Sequence, residues 1–189
     1  RDGYKRYKQE PPFDKGAKAE RAGTLTKKIG AASLAVSTVL PAPGAEKNWP
    51  RFRGPTGQGL TGKKSLPVHW SRDSSNIVWR TKVPQSGNSS PIIWGDRIFL
   101  TGATPDGQAR FLYCFSRTDG SPIWERQAPA KPPEPGVRDK NGYASATPAT
   151  DGERVVAFLG SCGLVCYDFE GKLLWTYDDL KFDTTHGTG

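Results

Sequence analysis

The sequence predicts an all-β protein built from short antiparallel strands. Glycine and proline are frequent, with 22 and 16 residues, and aromatic residues make up 11% of the chain. The apolar residues come in short runs that are separated by turn-forming pairs such as Gly95-Asp96 and Asp119-Gly120. Many short strands with closely spaced turns are typical of a sandwich, a barrel or a propeller.

A repeat in the sequence selects among these architectures. Residues 88–100 (NSSPIIWGDRIFL) and 145–158 (SATPATDGERVVAF) share a polar start, a proline, a short apolar strand, a glycine turn, an arginine and a second strand. Residues 112–124 and 164–175 also align when one residue is dropped in the turn. Each repeat therefore predicts four strands joined by tight turns, which is one blade of a β-propeller.

The repeats place glycine and tryptophan at fixed positions. Trp124 and Trp175 each follow a turn glycine by four residues, namely Gly120 and Gly171, and residues 76–79 end on Trp79 as a third copy of the last strand without its partner strands. A blade needs neighbours on its faces, and a large flat indole at a constant position is suited to fill the space between blades. We expect these five residues to be structural.

The predicted fold is thus a partial β-propeller. The blades cover about 88–126 and 143–178 within a repeat domain of 46–189, and about two blades do not close a ring. Between them, residues 127–143 are an insertion with prolines at 129, 132, 133 and 135, which predicts an extended, polyproline-like loop on one rim. Rim loops often carry specificity, although an insertion without a role is the simpler interpretation.

The first 45 residues are predicted to form a basic leader segment that is disordered or helical. They hold nine of the 27 Lys and Arg residues and four of the 19 acidic ones. Within 27–45, Lys27-Lys28 precede twelve apolar and small residues (29–40) and the small-residue exit PAPGA, which is the pattern of a secretory signal peptide. This predicts an exported protein, periplasmic or extracellular, and the apolar run is too short for a stable membrane span.

No catalytic constellation is visible in the sequence. Cys114, Cys162 and Cys166 form neither a vicinal pair nor a CxxC motif, so we expect buried, unpaired thiols. His69 and His186 are far apart and without nearby carboxylates, which gives no zinc signature and predicts no metal site. The repeat domain also has no basic stripe, which argues against a nucleic-acid partner.

The repeats resemble those of the PQQ-type (quinoprotein-like) β-propeller family. The family pattern A-x-D-x-x-T-G-K-x-x-W is similar to residues 114–124 and, with one deletion, to 166–175. The matching positions are Gly120 and Trp124 in the first copy and Asp168, Gly171, Lys172 and Trp175 in the second. In the first copy Ser116 and Asp119 stand in place of the usual Asp and Thr.

Two further segments extend the resemblance to about 48–189. Residues 48–55 (NWPRFRGP) followed by 66–71 (LPVHWS) resemble the opening of exported bacterial proteins with PQQ-binding-like repeats, and 186–189 (HGTG) is similar to the start of their next repeat. The resemblance implies that the chain is a fragment of such a propeller. It specifies the fold more closely than the activity, because one fold supports many functions.

Three functions fit this resemblance. The first is a non-catalytic binding or scaffold propeller with a protein or polymer partner at a rim and no cofactor. The second is part of a PQQ-dependent dehydrogenase, an oxidoreductase that holds the quinone over calcium, although the family's vicinal disulfide is missing here. The third is a carbohydrate- or polymer-binding propeller that uses rim aromatics, with Trp94 and Tyr143 as candidates.

A channel-mouth site is the remaining expectation. The first strands of successive blades converge on the propeller axis, and Asn88, Tyr143 and His186 occupy roughly equivalent positions ahead of those strands. These three residues are the candidates for a cofactor or small-molecule site, against the alternative of ordinary rim polarity.

Overall fold

A computed structural model describes residues 42–71, 76–134 and 141–180. Within these ranges the regular structure is eight β-strands and two single 3-10 turns, at Ala45–Lys47 and Gly160–Cys162. No helix in this part of the chain is long and apolar enough to cross a membrane. The predicted signal segment up to residue 41 and His186 lie outside the described residues.

The first four strands form one antiparallel sheet. In chain order they are β1 (Ile92–Trp94), β2 (Arg97–Ala103), β3 (Arg110–Ser116) and β4 (Pro122–Gln127). Each strand pairs with the next, so the spatial order is β1-β2-β3-β4. Short glycine-containing turns connect them, which is why sequence neighbours are also spatial neighbours.

The second sheet repeats this arrangement. Its strands are β5 (Ala149–Thr150), β6 (Arg154–Phe158), β7 (Leu164–Asp168) and β8 (Leu173–Tyr177), in the order β5-β6-β7-β8. The pairs Cys114–Trp124 and Cys166–Trp175 face each other across equivalent strands, and the same irregularity follows each pair. The prediction of an all-β, partial propeller with two four-stranded antiparallel blades is confirmed.

The hydrophobic core lies between the two sheets. Alternation along β3 turns Leu112 and Cys114 toward the second sheet, while Tyr113 and Phe115 lie on the opposite face. The buried residues of this core are Ile92, Phe99, Leu112, Cys114, Trp124, Ala128, Val155, Ala157, Leu159, Cys162, Val165 and Tyr167. Neither sheet could bury this face alone, so the two sheets stabilise each other.

An indole from one sheet docks on the turn of the next. The Nε1–H of Trp124 donates to the carbonyl oxygen of Phe169 at 2.8 Å, and the Trp124 ring lies against Gly171. Gly171 has a φ of 80°, and a Cβ at this position would lie 2.9 Å from the indole. Glycine is thus required twice, for the left-handed backbone and for the close approach of the ring.

Trp79 docks on the first sheet in the same way. Its Nε1–H donates to the carbonyl oxygen of Arg117 at 2.8 Å, and its ring covers Gly120, which has a φ of 73°. Arg117 and Gly120 correspond to Phe169 and Gly171 in the repeat alignment. The segment around Trp79 forms no strand in the described structure.

Trp175 has the register of Trp124 but a different environment. It is 44% exposed, whereas Trp124 is 8% exposed. Its neighbours Leu173, Leu174 and Tyr177 are also exposed. Strand β8, the last strand of the second sheet, is therefore exposed on both sides within the described residues.

The segment before the sheets lies along their inner edge. Trp49 and Ile93 exchange both backbone hydrogen bonds, at 2.9 and 2.8 Å, so this segment extends the first sheet beyond β1. Thr150 of the second sheet donates to the carbonyl oxygen of Pro50 at 2.9 Å. Asn48 accepts from the backbone N–H of Gly95 at 2.8 Å. One segment thus joins the inner strands of both sheets.

We expect Gly171→Ala to destabilise the protein more than Gly95→Ala. Both glycines have positive φ, at 80° and 58°, but only Gly171 lies under an indole, while a Cβ on Gly95 would meet nothing within 4 Å. Backbone strain costs about 1–2 kcal/mol at either site, and overpacking adds about 1–3 kcal/mol at Gly171 alone. Urea unfolding followed by far-UV circular dichroism measures both. Equal losses would show that the indole contact contributes nothing.

We expect the three thiols to resist labelling in the folded protein. Cys114, Cys162 and Cys166 are free and buried, and burial raises the pKa of all three, that of Cys114 to about 11. Because the thiolate is the reactive form, a chromogenic disulfide reagent at pH 8 should modify none of them in buffer and all three in denaturant. Rapid modification of any thiol without denaturant would contradict this packing.

Candidate functional site

The loops at one end of the strands form a continuous surface, which we call the loop rim. It consists of residues 84–90, 104–109, 128–134, 141–148 and 159–163. The opposite end carries the tight turns at 95–96, 117–121, 151–153 and 169–172, which we call the turn rim. Antiparallel neighbours place alternate connections at opposite ends, and this puts the long insertion on the loop rim.

A buried arginine lies at the centre of the loop rim. Arg110 begins β3 on its inward-facing side, and its side chain is 1% exposed. Its guanidinium donates to the carbonyl oxygen of Leu159 at 2.7 Å, and both its terminal nitrogens contact the carboxylate of Glu134. A buried charge is tolerated only when it is paired and hydrogen-bonded, and Arg110 meets both conditions.

Glu134 connects the insertion to the second sheet. Its side chain is 15% exposed, and Oε1 accepts the backbone N–H of Ser161 at 2.9 Å as well as a hydrogen bond from Arg110 at 3.1 Å. The backbone N–H of Ala128 donates to the carbonyl oxygen of Arg110 at 2.8 Å. Arg110 therefore holds both ends of the segment 128–134, which we call the proline arch.

Tyr143 covers this ion pair. Its ring lies over the guanidinium of Arg110, 5.1 Å from the ring centroid, in a cation–π contact. Beneath the ring is Gly107, with a φ of 71°, where a Cβ would lie 2.6 Å from the ring. This aromatic residue, a candidate for polymer binding, is thus engaged in packing.

The structure brings Asn88 close to the segment that carries Tyr143. The backbone N–H of Asn88 donates to the carbonyl oxygen of Ala144 at 3.0 Å, and its side-chain nitrogen lies 3.9 Å from a Cβ position on Gly142. Two of the three channel-mouth candidates therefore sit on adjacent segments of the loop rim. The third, His186, lies outside the described residues, so the three-residue site stays a prediction.

Trp94 lies on the turn rim. Its indole packs over Gly152, whose φ is 100°, and lies 3.8 Å from a Cβ position on Gly44. It is half-buried by these contacts. An indole packed in this way stabilises the fold. This disfavours Trp94 as an exposed aromatic surface on which a sugar ring could stack.

One of the candidate functions would hold a quinone over calcium. Calcium takes six to eight oxygen ligands from carboxylates, carbonyl groups and water. Within 42–71, 76–134 and 141–180, no three His, Cys, Asp or Glu side chains lie close enough to hold a metal ion.

Sequence reasoning missed Arg110 and Glu134. The signal for Arg110 was its place in β3, where the alternation that buries Leu112 and Cys114 also points residue 110 inward. A charged residue at an inward position predicts a buried partner. Glu134 carries no local signal, because its partner lies 24 residues away and in another element.

The repeat architecture agrees with the family comparison. A family model described as outer membrane protein assembly factor BamB, a model of PQQ-type repeats, matches residues 60–184, about two thirds of the chain. The chain belongs to this family. A comparison with curated proteins finds no match. Membership of the PQQ-type repeat family accounts for the two described sheets.

We expect Glu134→Gln to destabilise the folded protein by about 3–5 kcal/mol, because it leaves the buried charge of Arg110 uncompensated. The double variant Arg110→Met/Glu134→Gln should recover much of this loss, since no buried charge remains. Lys131→Gln is the matched control, because the Lys131–Asp178 ion pair in the same arch is exposed and should matter little. Urea unfolding measures all three variants. A loss for Glu134→Gln no larger than that for Lys131→Gln would contradict a buried pair.

Proposed function

We propose that this chain is part of a non-catalytic binding or scaffold propeller that contacts a protein partner through its loop rim. The observation that carries the proposal is the anchoring of the proline arch. A surface insertion without a role needs no fixed conformation, whereas residues 128–134 of this one are held at both ends by a buried arginine.

The energetics support a binding role for a fixed loop. Burying an ion pair costs several kcal/mol of desolvation per ion. A hydrophobic pair in the same place often stabilises a fold at least equally. What the pair of Arg110 and Glu134 provides is a defined loop position. A surface that is already ordered loses less conformational entropy when a partner binds, so its affinity is higher.

Family membership supports a protein as the partner. The matching model bears the name of an outer membrane protein assembly factor, which points to contacts with other proteins in the cell envelope. The signal-peptide pattern in 27–45 supports export to the periplasm or the cell surface. We propose that the chain acts there, without a cofactor.

Site-specific crosslinking tests this function. A photoreactive amino acid is placed at Ala130, which is exposed in the proline arch, or at Glu153, which is exposed on the turn rim. We expect ultraviolet light to give protein adducts from Ala130 in the exported fraction of a bacterium producing the full chain, and several-fold fewer from Glu153. Equal adducts at the two positions, or none at Ala130, would overturn the loop rim as the binding surface.

The two other candidate functions make different predictions in the same cells. A PQQ-dependent dehydrogenase would take up the quinone in the presence of calcium and reduce an electron-accepting dye. A polymer-binding propeller would give Ala130 adducts that stain for carbohydrate. Protein adducts without quinone uptake support the scaffold.

A further inference from the structure

We propose that the proline arch is a preformed polyproline II ligand, which presents Pro129 and Pro132 to a partner domain with an aromatic-lined groove. This inference rests on the proposed function and deepens it, because it names the kind of partner that the loop rim takes. It follows from the backbone limits that proline imposes and from which residues of the arch are anchored.

Proline restricts almost every residue of the arch. The rings of Pro129, Pro132 and Pro133 fix φ near −65°. The residues that precede a proline, which include Ala128, Lys131 and Glu134, are excluded from the helical region and driven toward extended or polyproline II backbone. Only Ala130 is free of both constraints. The sequence itself thus favours polyproline II, in which the backbone makes no internal hydrogen bonds.

The anchored residues fall on one face of such a helix. Polyproline II has three residues per turn, so Ala128, Lys131 and Glu134 lie in one row. Each member of this row is attached to the body of the protein. Ala128 is buried and donates to the backbone of Arg110, the Nζ of Lys131 contacts Asp178 at 2.6 Å, and Glu134 is paired with the Arg110 side chain.

The neighbouring row faces outward. Pro129 and Pro132 are three residues apart, so they share a face, and both are exposed, as is Ala130 between them. Two prolines in the spacing PxxP on one face are what aromatic-lined grooves of the SH3, WW and EVH1 type accept. The arch therefore holds Ala128 and Glu134 against the body of the protein and leaves its proline row exposed to a partner.

Anchoring adds to the affinity of such a ligand. Free proline-rich segments bind grooves because polyproline II has little conformational entropy to lose. Here the contacts of Ala128 and Glu134 with Arg110 remove still more of that freedom before binding. The folded chain should accordingly bind a suitable groove more tightly than a peptide of residues 127–134 does.

The experiment titrates isolated SH3, WW and EVH1 domains into the ¹⁵N-labelled full chain and follows amide shifts by NMR. We expect at least one domain to shift the amides of Ala130 and Lys131. Pro129→Ala/Pro132→Ala should weaken that binding about tenfold or more. The matched control is Pro67→Ala, which alters an exposed proline outside both the arch and the loop rim and should leave binding unchanged. The peptide 127–134 should bind several-fold more weakly than the chain.

Three results would overturn the proposal. They are no shift of the arch amides with any of the domains, binding that is unaffected by Pro129→Ala/Pro132→Ala, or a peptide that binds as tightly as the folded chain. Crosslinks from Ala130 in cells together with any of these results would leave the binding function intact and reject only the polyproline groove. If Ala130 gave no crosslinks in cells and the arch amides did not shift, both proposals would be rejected.

Discussion

The contact between an indole and a glycine turn sets how each repeat meets the next. Trp124 lies on Gly171 and donates to Phe169, and Trp79 lies on Gly120 with the equivalent hydrogen bond. The geometry needs a left-handed glycine and a carbonyl at a fixed distance along the turn. The turn glycine and the turn carbonyl recur in each repeat, so the same contact can form at each blade boundary. The apolar faces of neighbouring sheets then pack against each other.

The loop rim is built on a different principle. A buried ion pair, not a hydrophobic contact, fixes the loop there. The guanidinium of Arg110 pairs with Glu134, and the ring of Tyr143 covers it. A paired charge at a sheet end accepts only one arrangement of its donors and acceptors, whereas apolar side chains can slide and repack. Position, more than stability, is what such a cluster supplies to the loop it holds.

The repeat made the strands and their order predictable, because strand alternation and turn glycines are local signals. The positions of Trp124 and Trp175 in the register followed from the same spacing. The sequence could not show that Trp175 is exposed in the described structure, which depends on what packs beside it. The Arg110–Glu134 ion pair and the pairing of Trp49 with Ile93 could not be predicted from the sequence either, because both join residues that are far apart along the chain.

The inner-edge segment has a consequence for how the chain matures. The hydrogen bond between Pro50 and Thr150 spans one hundred residues, so this segment, which is synthesised before either sheet, must wait for the second sheet before it is fully paired. Contacts of such long sequence separation form slowly, because closing a large loop costs entropy before any bond is gained. Until the second sheet forms, the carbonyl group of Pro50 would therefore lack its strand partner, and this part of the segment would stay open to proteases and chaperones.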